Sequence, residues 1–261
     1  MEELLASRAT LIFLVANAGC TFLLGNFYDS QQANLELFFL FHPWLYLFLI
    51  PAVGMRLWSE ECRSGTVELL LTLPVRLTTA VLAKFLAAWA FIALALALTF
   101  PMILTVHYLG QPDNGPIIAG YLGSLLMAGA YLAVASCTSA LTKNQVISFI
   151  LSVIVCLVLV LLGWGVMSEV LNTILPVWLT DLIAQFSFTT HFEALRRGVI
   201  DLRDLVYFLS VISFMLLVNV GWCAYYLEKN RKDRDQKFRL ILIDAAPHCA
   251  ERAVCRVGAP V

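Results

Sequence analysis

The sequence is short of charge. Only 13% of its 261 residues are Asp, Glu, Lys or Arg, while 61% are hydrophobic, which is about half the charged fraction of a soluble domain. Such a chain cannot hide its apolar surface in one aqueous core, and lipid is the solvent it suits. Charge is missing altogether from Ala9–Tyr28, Leu37–Met55, Phe85–Tyr108, Asn114–Thr142, Asn144–Ser168 and Leu205–Leu227. Each run is close to the roughly 20 residues that carry a helix across a bilayer. In lipid the backbone must satisfy its own hydrogen bonds, so such runs become helices. The expected fold is an all-α membrane protein. Its transmembrane domain covers residues 1–230 and has six spans, at about 9–28, 37–55, 85–108, 117–141, 146–167 and 205–227.

Further absences narrow the function. All eighteen acids and all seventeen Lys and Arg lie outside the spans, leaving only His42 and His107 near span ends. Ion-coupled carriers keep an ionisable group in the membrane, and a membrane-buried hydrolase wants paired acids or a nucleophile with its base. Neither pattern is present, so the chain reads as no enzyme, with its energy supplied from outside. It has no G-x-x-x-x-G-K-[ST] phosphate loop. Gly110-Gln111-Pro112-Asp113-Asn114-Gly115 has the glycine spacing, but Pro116 and Ile117 follow it, and the stretch reads as a tight turn. The seven cysteines form no C-x-x-C, which argues against a zinc or disulfide framework. No metal or cofactor site is expected on this chain, and no basic stripe points to nucleic acid. The acidic Glu2 and Glu3 at the N-terminus argue against a cleaved signal peptide.

Orientation follows from the basic residues. With six spans both termini share a side, and that side holds fourteen of the seventeen Lys and Arg; Arg196, Arg197 and Arg203 are on the other. The positive-inside rule then puts the termini and the 56–84 loop in the cytoplasm.

That loop is the most informative stretch. It opens on Glu60, Glu61 and Arg63, turns at Ser64-Gly65-Thr66, and continues as a short apolar pattern, Val67–Leu73, around Glu68 and Leu69. Pro74 stops the pattern. Thr78 or Thr79 is placed to cap the helix leading into the third span, and Lys84 to snorkel toward headgroups. On physical grounds the apolar segment is either an interfacial helix lying on the membrane or a stiff element offered to a groove in a soluble partner.

The residues Glu60-Glu61-x-Arg63-Ser64-Gly65-Thr66-x-Glu68-Leu69-Leu70-Leu71-Thr72-x-Pro74-Val75 resemble the cytoplasmic loop of ABC-2-type transporter permeases. The likeness is closest to the gliding-motility and copper-processing (nitrous oxide reductase maturation) permease group. It continues through Leu141-Thr142-Lys143-Asn144-Gln145 and through His191-Phe192-Glu193-x-Leu195-Arg196-Arg197-Gly198-Val199-Ile200-Asp201. The resemblance implies a type V exporter-like bundle whose loop is a coupling helix. That helix would sit on a separate ABC ATPase subunit that binds ATP and magnesium. It implies a second permease chain, the same or different, and allows an accessory protein on the periplasmic side. Localisation would be the bacterial or archaeal cytoplasmic membrane. The contact carried over would centre on Glu60, Glu61, Arg63, Ser64, Gly65, Thr66, Glu68, Leu69 and Pro74. The sequence departs from the family pattern at both ends: only eight residues precede Ala9, where relatives have a longer basic stretch, and beyond Arg234 nothing matches. Residues 231–261 are expected to be a loosely ordered cytoplasmic tail.

Between the fifth and sixth spans, residues 169–204 are half apolar. Thr190-x-x-Glu193 has the form of a capping box and Gly198 suits a helix C-terminus, which predicts a short helix near His191–Arg197. By resemblance this segment holds short exoplasmic helices gating the outer mouth, with His191, Glu193, Arg196 and Arg197 as its polar residues. A metal site at His191 and Glu193 is disfavoured, since residues two apart do not share a helix face. Small residues along the fourth span (Gly120, Gly123, Ser124, Ala128, Gly129, Ala133, Ser136, Ser139 and Ala140) predict close helix packing. Pro101 predicts a kink, and Asn17 and Asn219 need partners inside the bundle. Two other functions are weighed: a scaffold for a periplasmic or motility machine, and a stand-alone carrier. The long loop argues against the first and the missing intramembrane acids against the second. No residue in the spans names a cargo.

Overall fold

The computed structural model describes residues 2–21, 35–66, 76–110, 112–174 and 176–257. The described residues are helical with short connections. The helices are α1 (Glu2–Gly19), α2 (Glu36–Leu40), α3 (His42–Gly54), α4 (Arg56–Ser64), α5 (Leu77–Ala97), α6 (Phe100–Leu109), α7 (Asn114–Leu141), α8 (Gln145–Leu161), α9 (Gly165–Ile174), α10 (Val177–Ala184), α11 (Phe188–Arg196) and α12 (Leu202–Val257).

Three helical stretches among these are long and apolar enough to cross a bilayer: Leu77–Leu109, Asn114–Leu141 and Leu202–Lys229. They correspond to the third, fourth and sixth expected spans. The other three expected spans are shorter or divided. The first includes the apolar stretch Thr10–Gly19, and its residues 22–28 lie outside the described residues. The second is divided into α2 and α3, with Phe41 between them and Pro43 in the first turn of α3. The fifth is the apolar stretch Gln145–Leu161. The outward side chains fit lipid. Leu82, Leu86 and Leu94 on α5, Ile147, Ile150, Ile154 and Val158 on α8, and Leu209, Phe214 and Leu217 on α12 are all exposed. Rows of this kind on several helices would be a liability in water and are natural against acyl chains. The chain is a multi-pass membrane protein.

The core is built around α7, which is buried at every position from Leu126 to Ala140. Its small residues let neighbours come close. A Cβ on Gly54 of α3 would lie 2.5 Å from the Cβ of Ala135, so α3 and α7 meet almost backbone to backbone, as helices in lipid do where side chains are small. On α8 the buried Ser148, Ser152, Cys156 and Val160 recur every fourth residue and form one ridge. Ser152 meets Thr138 of α7 hydroxyl to hydroxyl. Asn219 has the partner it was expected to need, and Asn17 has one for its amide nitrogen but none among the described residues for its buried Oδ1. Asn17 Nδ2 is 3.4 Å from His42 Nε2, and Asn219 Nδ2 donates to Ser136 Oγ at 2.8 Å. The kink expected at Pro101 falls at Leu98–Thr99. There Thr99 Oγ1 donates to the Leu96 carbonyl at 2.6 Å and meets the Tyr121 hydroxyl at 2.8 Å.

The α5 cap differs from expectation. Helix α5 starts at Leu77 after Arg76, which makes no side-chain capping bond, so Thr78 and Thr79 fall inside its first turn. The chain divides into two compact units, Met1–Val220 and Gly221–Val261. In the second, α12 runs on to Val257. Within that unit Lys232 pairs with Glu228 at 2.7 Å, one turn away. That contact raises the Lys232 ammonium from its ordinary value.

Candidate functional site

The two polar loops singled out in the sequence pack at opposite ends of α7. One lies against Ser139 and the other against Gly123. At 1.5 Å per residue these positions are about 24 Å apart along the helix.

At the Ser139 end, the charged run that opens the 56–84 loop forms α4, a helix the sequence reading left unassigned. Its inner face carries the buried Trp58, Ser59 and Cys62, and its outer face the exposed Arg56, Glu60, Arg63 and Ser64. A helix leaves its first N–H groups without partners. Here a neighbouring helix fills that role: Ser139 Oγ accepts from the Trp58 N–H at 3.1 Å and the Ser59 N–H at 3.0 Å, and donates to the Met55 carbonyl at 2.8 Å. A second fastening comes from α5. Lys84 Nζ donates to the Leu57 carbonyl at 3.2 Å, forms an ion pair with Glu61, and stands 4.0 Å from the centre of the Trp58 ring. This corrects the snorkelling role expected for Lys84, because a carbonyl, a carboxylate and an aromatic face together hold the ammonium more specifically than headgroups would. Burial, with Glu61 adding to it, pushes the Cys62 thiol above its ordinary range, partly offset by Lys143 and Lys84.

Gly65 ends α4 in the left-handed region at φ +74°, so it makes the sharp turn expected of it. Ser64 Oγ reaches back to the Glu60 carbonyl at 2.9 Å and meets Thr66 Oγ1 at 2.9 Å. Of the predicted contact residues, Glu60, Glu61, Arg63, Ser64, Gly65 and Thr66 thus sit together on or just after α4. Glu68, Leu69 and Pro74 lie outside the described residues.

At the Gly123 end, α11 covers the expected short helix. Its cap is Ser187, whose Oγ accepts from the Thr189 N–H at 3.2 Å. Thr190, predicted as the cap, lies in the helix, and its hydroxyl donates to the Ala184 carbonyl at 3.1 Å. Both residues suit a cap by type, and Ser187 is favoured by standing where the turn after α10 ends. Gly198, at φ +86°, closes the helix as predicted. The Val199 N–H bonds the Ala194 carbonyl at 3.1 Å and the Gly198 N–H bonds the Leu195 carbonyl at 3.1 Å, the paired pattern of a Schellman motif.

The four polar residues expected here divide into two groups. His191 is buried. Its Nδ1 lies 2.6 Å from Asp204 Oδ1, its Nε2 2.9 Å from the Gln185 carbonyl oxygen, and its ring stacks on Tyr207 at 3.9 Å. The histidine therefore ties the turn after α10 to the start of α12. Asp204 went unassigned in the sequence reading because it lies thirteen residues away on the next helix. The others belong to a separate cluster. Glu193 pairs with Arg197 at 2.5 Å, and the Arg196 guanidinium lies 3.4 Å from Glu36 and 3.7 Å from Glu193. Glu36, on α2, is a second unanticipated member. Among the described residues no group of three His, Cys, Asp or Glu side chains is placed to hold a metal.

These arrangements comprise two polar loops braced on one buried helix in a chain with lipid-suited flanks. A family model described as ABC-2 family transporter protein matches residues 7–228. No individual curated protein matches. The match covers both loops and every helix up to the end of the α12 stretch suited to a bilayer, and the chain belongs to the ABC-2 family of transporter proteins.

Proposed function

We propose that this chain is the membrane permease subunit of an ATP-driven exporter, energised by a separate ABC ATPase docked on the 56–84 loop. The observation that carries the reading is the bracing of α4. A docking element can do work on a bundle only if it is rigidly joined to it, and α4 is held through Ser139 to α7 and through Lys84 to α5. Its outer face offers Arg56, Glu60 and Arg63 to solvent, a mixed-charge rim suited to a polar partner groove. The coupling contact then comprises Glu60, Glu61, Arg63, Ser64, Gly65, Thr66, Glu68, Leu69 and Pro74.

In this reading six spans cross the cytoplasmic membrane of a bacterium or archaeon with both termini inside. Two permease chains pair, each engaging one ATPase that holds the nucleotide and magnesium. The α11 segment with His191, Glu193, Arg196 and Arg197 gates the outer mouth. The subgroup is the gliding-motility and copper-processing permeases, on the strength of the loop residues. The test is ATPase capture. The wild-type chain, co-expressed with a candidate ABC ATPase from the same genome, should retain that ATPase through purification, and Gly65→Pro and Glu68→Lys should lose it while the permease stays folded. Capture unchanged in both variants would overturn the docking assignment. Labelling of a Ser64→Cys variant from the periplasmic side would overturn the topology.

A further inference from the structure

Arg196 is poorly satisfied for a guanidinium so nearly enclosed. Its side chain is 13% exposed, its two carboxylate neighbours stand at 3.4 and 3.7 Å, and its Nε is buried with no hydrogen-bond partner among the described residues. A charge-assisted N–H···O bond runs about 2.7–2.9 Å, so neither carboxylate makes one. Glu193 is already engaged with Arg197, and Glu36 is half exposed. A guanidinium offers five N–H donors in a planar fork, and taking it from water without filling that fork is costly. A native structure that leaves such a group underused calls for an explanation at that site.

The space around Arg196 supplies one. The side chain is the shared wall of two cavities. One, about 220 Å³, lies against Leu35, Glu36, Phe39, Asp113, Pro116 and Arg197. The other, about 290 Å³, lies against Leu40, Trp44, Val160, Trp164 and Phe192. Trp44 and Trp164 meet edge to face at 5.6 Å, and both are substantially exposed. Tryptophans of this kind, apolar in body with one polar edge, collect where a bilayer meets water. The second cavity thus has an apolar, aromatic side and a polar end where Arg196 stands beside Glu193.

We infer that this is a binding site for an anionic amphiphile. A phosphate or carboxylate headgroup fills the Arg196 fork, and the first part of an apolar chain lies along Trp44 and Trp164. The planar guanidinium suits a two-oxygen anion better than an ammonium would. Glu36 and Glu193 keep the empty site near neutrality, so the guanidinium persists without a bound ion. The inference depends on the proposed function only in taking this end as a bilayer interface; it names the class of molecule that the outer end of the permease holds.

The test uses the purified full chain without any ATPase, so its outcome is separate from that of ATPase capture. Delipidated protein is returned to nanodiscs of phosphatidylcholine, alone or with phosphatidylglycerol, and bound lipid is counted by native mass spectrometry. Glycerol phosphate and inorganic phosphate serve as soluble probes. Wild type should retain phosphatidylglycerol in preference to phosphatidylcholine, and Arg196→Gln should weaken that retention by about tenfold, the loss expected for a hydrogen-bonded charge contact. Arg203→Gln removes the same charge from an exposed position on this side of the protein that lines neither cavity and should keep the preference. Trp164→Ala should weaken the lipid without creating affinity for soluble phosphate. If Arg196→Gln does not fold, Arg196→Lys against Arg203→Lys gives the same comparison, with selective loss expected in the first. Equal losses at both arginines, no loss at either, or Arg196-dependent binding of soluble phosphate without lipid would each overturn the inference.

Discussion

Replacing Ser139 with alanine tests the bracing of α4 directly. The substitution removes one oxygen and leaves the Cβ in place, so packing is almost unchanged. The Trp58 N–H, an orphan donor of the first turn of α4, loses its 3.1 Å acceptor, and the Ser59 N–H loses a 3.0 Å acceptor. Met55 keeps a hydroxyl donor from Ser59, so its carbonyl is not stranded. Trp58 is fully buried. A buried donor without a partner costs about 1–3 kcal/mol, and Ser139→Ala should lose stability in that range. The assay is the thermal unfolding midpoint of the purified chain in one detergent, read beside Ser148→Ala. Ser148 is also buried, but its hydroxyl has no hydrogen-bond partner among the described residues, so its removal should be neutral or stabilising. A drop of several degrees for Ser139→Ala with none for Ser148→Ala is the expected result. Equal midpoints for the two variants would refute the capping role given to Ser139.

Other outcomes follow from the same geometry. Gly54→Ala should destabilise by about 1–3 kcal/mol through overpacking against the Ala135 Cβ at 2.5 Å; adding Ala135→Gly should recover most of the lost unfolding midpoint. Gly198→Ala should lower the same midpoint for two reasons: φ is +86°, and the new Cβ would stand 2.9 Å from Pro116. The Cys62 thiol, held up first by burial and then by Glu61, carries less thiolate at neutral pH than a free cysteine. Its alkylation rate should still be climbing with pH where a model thiol has levelled off, and levelling at the ordinary cysteine pH would contradict this.

Much of the architecture was readable from uncharged run lengths, because a bilayer imposes a length on whatever crosses it. The stretches Leu77–Leu109, Asn114–Leu141 and Leu202–Lys229 fall where those runs predicted. Helix α4 was not readable for the opposite reason. It is short and charged, and Trp58 and Cys62 mark a buried face only once α7 is known to lie beneath them. Ser139 gave no signal because a serine among alanines and glycines reads as packing, and its hydroxyl acts on a segment about eighty residues earlier. At the other end, arguing from spacing correctly separated His191 from Glu193. It could not supply Asp204, since the partner comes from the next helix across the Gly198 turn. The α11 cap was misread because hydroxyl residues at 187, 189 and 190 compete for one role, and the path of the preceding turn decides among them.

Helix α7 has no free side between Leu126 and Ala140. Any enlargement of a side chain in that stretch meets a packed neighbour whichever way it points.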